Sequence, residues 1–438
     1  MNRLLQRLNP GRAFNGLWHD GDFVRLWTSL TITHFGGQVT FLALPLTAAL
    51  LLDASAFQMG VLTALEAVPF ALFGLFAGVL IDRLPKLPII VAADIARGIA
   101  LLAVPIAAWR GMLAMHVLYI VGFLIGTGAV IGWPAYQVFM TERVGRERLV
   151  EANAKIGVSD SASQLIGPGL AGALIQWLGA PFAILLDAAA FFLSAAILRG
   201  IEPRPSDAPK VEARHVGAEI AEGLRAIWRN ATLRALAWAI ALWQIFRHAY
   251  LAIGVLFAAR ELGFSAGHVG ALWMLAGVGS LVAAGAAEPL NRRLGFGPTM
   301  LLGMLGTGIG WLVMAAATGG ALLASLVFGL GLALLDFSGM VFFINYLTLR
   351  QAVTPDQLLG RVTATMICLT VATAPLGGLA GGWVAEHLGL RATMLIAALG
   401  AMALVALVAK ASPLLGVQSL EEARSPRLTE SVTEELAG

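Results

Sequence analysis

The sequence has little charge for its length. Only 13% of its 438 residues are Asp, Glu, Lys or Arg, about half of the ~25% that is usual in a soluble domain. Hydrophobic residues make up 58% of the chain, and the mean hydropathy is +0.81. This composition excludes a soluble enzyme and a disordered chain, and it predicts an integral membrane protein.

Cysteine and the common catalytic motifs are also scarce. Cys368 is the one cysteine, so an intrachain disulfide is excluded and no Cys/His cluster for zinc or iron-sulfur can be recognised. The phosphate-binding sequence Gly-x-x-x-x-Gly-Lys-Ser/Thr does not occur, so ATP is not expected to supply energy directly. We therefore expect no enzyme, metal site or cofactor, and no nucleic-acid partner.

Long apolar segments are what the sequence has in abundance. Twelve of them reach about 20 residues, the length that crosses a bilayer as a helix. They lie at 23–50, 57–81, 88–109, 113–140, 152–178, 181–200, 232–259, 267–290, 297–318, 320–347, 359–385 and 390–410. The sequence thus predicts an all-α polytopic membrane protein with twelve transmembrane helices.

One polar stretch divides these segments into two sets of six. It contains Pro203, Pro205 and Pro209, followed by an amphipathic run at 218–228, and it is interpreted as a linker with a short surface helix. The predicted organisation is a cytoplasmic N-terminal arm at 1–22, a six-helix bundle at 23–200, a cytoplasmic linker at 201–231, a second six-helix bundle at 232–411 and a disordered cytoplasmic tail at 412–438.

The two halves of the sequence repeat each other at an offset of 209 residues. Leu149 falls on Leu358, and the segment Gly169 to Gly172 falls on Gly378 to Gly381. Such a duplication predicts two pseudo-symmetric six-helix bundles that rock against each other around a shared site.

The basic residues indicate the orientation of the chain. On this map, 24 of the 29 Lys and Arg lie on the side of the termini and the linker. By the positive-inside rule, both termini are expected in the cytoplasm.

Several motifs resemble those of a known family. The segment Gly78-Val-Leu-Ile-Asp82-Arg83-Leu-Pro85-Lys86 resembles the loop motif of the major facilitator superfamily, Gly-x-x-x-Asp-Arg-x-Gly-Arg-Lys. Further motifs resemble the branch with bacterial macrolide-efflux and enterobactin-exporter-like proteins. These are Ala-Leu-Pro at 43–45, Leu-Val-Glu-Ala-Asn-Ala at 149–154, Gly167-Pro168, Gly360-Arg361-Val362 and Pro375-Leu-Gly-Gly. The resemblance covers about residues 20–411.

The resemblance implies a multi-pass exporter in the bacterial cytoplasmic membrane. It would carry amphipathic small molecules (a drug, a siderophore or a metabolite) by alternating access, with proton antiport, and would act as a monomer in the lipid bilayer. Gly36-Gly37 stand where the branch commonly has Gly-Asp, and the fourth span has no arginine. These departures make an alternative plausible, namely a gradient-independent lipid or metabolite flippase or uniporter. A non-transporting receptor or assembly subunit is the alternative of another class.

The loop motif predicts a conformational latch between the two halves. Gly78 permits a close helix approach, and the Asp82 carboxylate suits the N-terminus of the eleventh span. In the alternative interpretation, the basic residues only mark the membrane boundary. The candidate latch comprises Gly78, Asp82, Arg83, Lys86, Asp94 and Arg361.

Ionisable residues within the spans are candidates for proton or substrate binding, because each costs about 2.5 to 3.5 kcal/mol at mid-membrane depth. Glu66 is a lone carboxyl that can exchange a proton, or it forms a structural hydrogen bond. Arg247 with Asp336 and His34 with Asp160 fall at matching depths, so each pair is either a proton relay or a static polar pair. Asp94 and Arg97 are expected to form a structural pair, and Asp187 is expected to be structural.

Aromatic and amide side chains are the candidates for the cavity wall, where they suit amphipathic or cationic molecules. The candidates are Phe41, Trp133, Tyr136, Gln137, Trp243, Gln244, Trp273, Phe342, Phe343, Asn345 and Tyr346. Small residues and prolines in the fifth and eleventh spans are candidates for helix packing or a hinge. They are Gly167, Pro168, Gly172, Pro375, Gly377 and Gly378.

Overall fold

A computed structural model describes residues 16–202, 216–355 and 358–424 of the chain. Within these ranges the chain forms twelve long helices and no β-strand. The predicted all-α, twelve-helix architecture is confirmed.

The twelve helices are numbered in chain order. The first six are α1 (Gly21–Leu50), α2 (Ala56–Arg83), α3 (Lys86–Trp109), α4 (Met115–Val144), α5 (Leu149–Leu178) and α6 (Ala180–Leu198). The last six are α7 (Ala231–Leu256), α8 (Ala266–Leu294), α9 (Phe296–Ala315), α10 (Ala321–Val353), α11 (Leu359–Leu388) and α12 (Leu390–Ala411). The linker helix (Val216–Arg229) lies between α6 and α7.

Short, sharply turned junctions connect the helices. Ser55 begins α2 with a capping box, in which its side chain accepts from the Gln58 N–H and the Gln58 side chain accepts from the Ser55 N–H. Gly179 between α5 and α6 and Gly389 between α11 and α12 have φ values of 82° and 91°. This left-handed backbone favours glycine, so the chain reverses at equivalent points of the two halves.

The helices differ in polarity. Ten of them are long and apolar enough to cross a membrane, as judged over the described residues. The other two, α1 and α5, are equally long but carry more polar side chains, such as His34, Gln38, Lys155 and Asp160. In the described part of the chain α1 packs against α5 and α6, and α5 packs against α1 and against α8 of the second half.

The buried apolar residues show how the two six-helix bundles meet. We call the end that carries residue 16, the linker helix and residue 424 the terminal end, and the opposite end the far end. One core cluster at the far end contains residues of both halves, including Leu42, Ile175, Ile253 and Val269. Towards the terminal end, the core divides into a cluster within α1–α6 and its flanks and a separate cluster in the second half. The bundles are therefore joined at the far end and apart at the terminal end.

The segments outside the long helices pack on the terminal end. The linker helix lies against α11, where Arg361 Nη1 is 2.5 Å from Glu222 Oε1. The predicted surface helix is thus docked on the second bundle, while residues 203–215 of the predicted linker lie outside the described residues.

The start of the C-terminal segment differs from the prediction of disorder. Leu414 and Val417 are fully buried, and Val417 accepts a hydrogen bond of 3.0 Å from the Gly297 N–H. Burial of these two apolar side chains orders residues 412–424. The rest of the predicted tail, 425–438, lies outside the described residues, as does most of the predicted N-terminal arm, 1–15.

Candidate functional site

A cavity of about 460 Å³ lies between the two bundles. Its wall comes from α1, α2, α3, α4 and α6 of the first half and from α7, α8 and α11 of the second. Most of the lining is apolar or aromatic, and the polar groups are few. The lining includes Thr40, Phe41, Met59, Glu66, Phe70, Arg97, Asp187, Gln244, His248, Tyr250, Trp273 and Val371.

Two glycine-lined helix crossings close the cavity on the far side. Where α2 crosses α11, a Cβ added at Gly60 would lie 2.5 Å from the Gly378 carbonyl oxygen and 2.9 Å from Gly382 Cα. Where α5 crosses α8, a Cβ at Gly172 would lie 2.8 Å from Gly270 Cα. The backbones are in direct contact at both crossings, so only glycine fits there. The crossings are equivalent under the internal repeat.

Polar contacts reinforce this closure at the far end. Arg260, at the end of α7, donates to the Ala49 carbonyl at 3.0 Å and lies 2.7 Å from Asp53 Oδ1. The Phe57 N–H at the start of α2 donates to Glu386 Oε2 at 3.1 Å. Each contact joins one bundle to the other.

Glu66 lies in the cavity wall without a polar partner. It is on α2 beside α4, where a Cβ at Gly122 would lie 3.2 Å from its Cγ. Among the described residues its carboxylate has neither a hydrogen bond nor an ion pair. It is sixteen residues from Asp82, which corresponds to about 24 Å along the helix axis. Glu66 thus places a carboxyl without a polar partner, among the described residues, in the cavity wall.

The two predicted polar pairs differ from each other in how close their members lie. His34 Nδ1 lies 3.4 Å from Asp160 Oδ1, without hydrogen-bond geometry, so the structure brings these two residues together. Arg247 and Asp336 are close enough to interact electrostatically, but they do not form an ion pair within 4.0 Å in the described part of the chain. Arg247 lies instead 5.7 Å from the ring centroid of Trp243.

The structure does not assemble the predicted latch. Gly78 faces open space, Lys86 Nζ lies 3.7 Å from Glu142 Oε1, and Arg361 pairs with the linker helix. Arg83 is exposed beside an apolar groove that includes Phe76, and the side chain of Asp82 lies outside the described residues. The physical reason is the separation of the two bundles at the terminal end, which keeps α2 and α11 apart there.

A buried charged cluster between α1, α3 and α6 was predicted only in part, because Asp94 was a candidate latch residue whereas Arg97 and Asp187 were expected to be structural. Asp94 accepts a hydrogen bond of 2.5 Å from Ser194 Oγ, and Asp187 accepts one from Thr40 Oγ1. Arg97 interacts electrostatically with both carboxylates, and its guanidinium lies 4.1 Å from the ring centroid of Phe191. Asp94 and Arg97 are electrostatic neighbours, but in the described ranges no ion pair within 4.0 Å joins them. The sequence feature that could have indicated this cluster is the presence of three charged residues, Asp94, Arg97 and Asp187, within apolar segments.

The predicted cavity residues fall into three groups. Phe41, Gln244 and Trp273 line the cavity. Trp133, Gln137 and Phe343 are exposed elsewhere. The remaining five are buried within the bundles and do not line the cavity in this conformation: Tyr136, Trp243, Phe342, Asn345 and Tyr346. The ring centroids of Trp243 and Phe342 are 4.9 Å apart.

The predicted packing residues lie at helix contacts. A Cβ at Gly167 would lie 2.5 Å from Gln38 Cγ on α1, and one at Gly377 would lie 2.9 Å from His248 Cβ on α7. Pro168 and Pro375 are buried inside α5 and α11, both of which run without interruption.

Known proteins resemble the chain over most of its length. The multidrug efflux pump Tap of Mycolicibacterium fortuitum is 27% identical over 377 residues, which cover 82% of this chain and 88% of that protein. The enterobactin exporter EntS of Citrobacter koseri is 25% identical over 336 residues, 75% of this chain and 77% of that protein.

Solved structures show the same fold. The nucleoside transporter NupG has a TM-score of 0.71 at 12% identity and covers 89% of this chain and 98% of its own. A bacterial homologue of the iron transporter ferroportin, in the inward-facing state, has a TM-score of 0.69 at 19% identity and covers 90% of this chain and 99% of its own.

The family assignment rests on a match that spans both bundles. The sequence pattern of the Major Facilitator Superfamily matches residues 26–367, which include all of α2–α10. The chain therefore belongs to the Major Facilitator Superfamily of membrane transporters.

Proposed function

We propose that the protein exports amphipathic, cationic small molecules across the bacterial plasma membrane in exchange for protons. The observation that carries this proposal is the cavity between the bundles, in which the unpartnered carboxyl of Glu66 faces apolar and aromatic side chains. The similarity to a multidrug efflux pump and to an enterobactin exporter supports the export of small molecules.

The orientation follows from the distribution of basic residues. Since 24 of the 29 Lys and Arg lie on the side of the termini and linker, the terminal end faces the cytoplasm. The bundles are apart at that end, so this conformation takes up substrate from the cytoplasm. Separation of the glycine crossings at the far end then releases it outside.

The cavity chemistry favours a lipophilic cation as substrate. Phe41, Phe70 and Trp273 provide aromatic faces, and a desolvated cation on such a face gains roughly 2 kcal/mol. Glu66 supplies the opposite charge. A neutral or anionic molecule would leave this carboxylate unpaired or repelled.

The same chemistry supplies a means of coupling. An uncompensated negative charge is costly in a largely apolar cavity, so the Glu66 carboxylate favours a bound cation. Proton entry from outside reduces the negative charge of the cavity wall and therefore displaces the cation. His34 with Asp160, and Arg247 with Asp336, are the other two polar pairs proposed to take part in this exchange.

The proposal is tested in proteoliposomes with tetraphenylphosphonium as the probe cation. Wild type is expected to accumulate the probe against its gradient when a pH gradient is imposed, and a protonophore should abolish accumulation. Glu66→Gln removes the cavity carboxylate and should reduce probe binding and transport to the level of empty liposomes. Asp336→Asn and Asp160→Asn test the other two pairs.

Glu288→Gln serves as the control, because Glu288 is on the exposed surface of α8 and its ion pair among the described residues is with Arg292, one turn away. Transport that persists after the protonophore would favour the gradient-independent uniporter. Full transport in all three cavity and pair variants would contradict the proposed coupling residues.

A further inference from the structure

We propose that Asp187, within a buried cluster with Asp94 and Arg97, is the residue that binds the transported proton. The inference rests on the proposed function and assigns one of its steps to a side chain. It differs from the sequence-based expectation that Asp187 is structural, and it leaves Glu66 as the residue that binds the cation.

The two oxygens of Asp187 have different surroundings. Oδ2 accepts the Thr40 hydroxyl, whereas Oδ1 is buried and has no hydrogen-bond partner. The residue is only 2% exposed yet forms part of the cavity wall. A Cβ at Gly36 would lie 2.5 Å from Oδ1, so glycine at that position is what makes room for this oxygen. An unpartnered carboxylate oxygen next to a cavity has the geometry of a proton acceptor.

The net charge of the cluster also favours one bound proton. Asp94 and Asp187 interact electrostatically with each other, and both interact with the single cation Arg97. With both carboxylates ionised the cluster has one excess negative charge, and one bound proton makes it neutral. Since a net charge is strongly disfavoured at this depth, the cluster holds a proton until a cation arrives in the cavity.

Hydrogen bonding distinguishes the two carboxyls. Asp94 accepts from Ser194 Oγ at 2.5 Å, and Ser194 Oγ in turn lies 2.6 Å from Ser29 Oγ. These hydroxyls stabilise the ionised form of Asp94, which is not in the cavity wall. Asp187 also accepts one hydroxyl hydrogen bond, but unlike Asp94 it forms part of the cavity wall. The proton is therefore assigned to Asp187.

Other titratable groups lie near the cavity but outside the cluster. His34 on α1 and Asp160 on α5 contact each other. Glu66 on α2 and His248 on α7 lie in the same wall as Asp187, whereas the charged neighbours that interact with Asp187 in the described part of the chain are Arg97 and Asp94. Glu66 is thus the second carboxyl of the cavity rather than a member of the cluster.

The proposed exchange has two states. With the proton on Asp187, Asp94 and Arg97 balance each other and the cavity wall near α6 is neutral. When the proton leaves, the negative charge of Asp187 adds to that of Glu66 and strengthens binding of a cation. Proton and cation therefore bind in turn, as antiport requires.

The inference is tested by measuring proton release from purified protein. Tetraphenylphosphonium is added to the protein in weakly buffered detergent with a pH indicator. Wild type should release protons on binding the probe. Asp187→Asn keeps an oxygen acceptor for Thr40 but has no carboxyl that can bind and release a proton, so proton release and pH-driven uptake should be lost. Probe counterflow in proteoliposomes without a pH gradient should continue, which shows that the variant is folded.

Comparison with other variants separates the possible results. Glu66→Gln should weaken probe binding itself, and Glu288→Gln should behave as wild type. Unchanged proton release in Asp187→Asn would overturn the inference. Asp94→Asn is tested in parallel. The inference would also be overturned if Asp187→Asn lost both counterflow and proton release while Asp94→Asn retained both. If wild type neither releases protons nor responds to the pH gradient, the proposed proton antiport fails and the inference fails with it.

Discussion

At the scale of single residues, Phe41 offers the cavity its most accessible aromatic face. Its side chain is 45% exposed and lines the cavity on α1. Phe41→Ala should remove a cation-π contact of about 0.5 to 2 kcal/mol and raise the apparent Kd for tetraphenylphosphonium by roughly 2- to 30-fold. Fluorescence titration or equilibrium dialysis of the purified protein measures this change.

Phe182→Ala is the matched control for that substitution. Phe182 has a similar exposure of 40% but lies on α6 outside the cavity wall. Equal weakening of probe binding by both variants would argue for a general packing effect and against recognition of the cation by Phe41.

Sequence reasoning located some of these residues and missed others for an identifiable reason. Glu66 was found because a lone carboxyl in an apolar segment is costly wherever its helix lies. The role of Asp187 depends on which helix faces the cavity, and apolar periodicity does not reveal this when a helix is buried on most sides. Trp243 and Tyr346 were placed in the cavity wall for the same reason, although they face the interior of their own bundle.

At the scale of helices, the crossing of α2 and α11 sets how tightly the far end closes. Gly60→Ala adds one methyl group against the carbonyl of Gly378, and such overpacking typically costs about 1 to 3 kcal/mol. We expect this variant to lose the closed far end, to melt at a lower temperature and to transport more slowly. Thermal unfolding in detergent and probe uptake in proteoliposomes measure both effects.

Gly74→Ala, on the same helix, is the control for the backbone. A Cβ at Gly74 meets no atom within 4 Å, so alanine there has no steric cost. Its higher helix propensity should stabilise the helix by up to about 1 kcal/mol. This variant should be as stable as wild type or more so. If Gly60→Ala matches it in melting temperature and transport, the close crossing is not required.

The helices themselves were predicted well because membrane spans have a simple length requirement. The second predicted span, 57–81, differs by only a few residues from α2 (Ala56–Arg83), and the polar segments at helix ends fixed most boundaries. The docking of the linker helix on α11 was not predicted. It depends on the Glu222–Arg361 contact, which joins residues far apart in the sequence.

At the scale of the whole molecule, the internal repeat predicted two bundles but not their relative position. A symmetric pair of bundles has two equivalent ways to close, one at each end. Which end is closed depends on small differences between the contacts available there. At the far end these contacts include two glycine crossings and the pairing of Arg260 with Asp53, whereas the predicted latch residues at the terminal end are separated.

The Arg260–Asp53 pair provides a test of this balance. Asp53 is 95% exposed at its side chain, so solvent weakens the pair and its contribution is at most about 1 kcal/mol. Asp53→Ala should therefore shift the population away from the closed far end by up to about fivefold. Arg260→Ala should shift it further, because the bond to the Ala49 carbonyl is lost as well.

The measurement is labelling of a cysteine at position 41, in a Cys368→Ser background, by a membrane-impermeant maleimide added from each side. Arg292→Ala breaks a pair within α8 alone and should leave the labelling unchanged. Equal labelling from the outside in wild type and Arg260→Ala would mean that this arginine does not hold the far end closed.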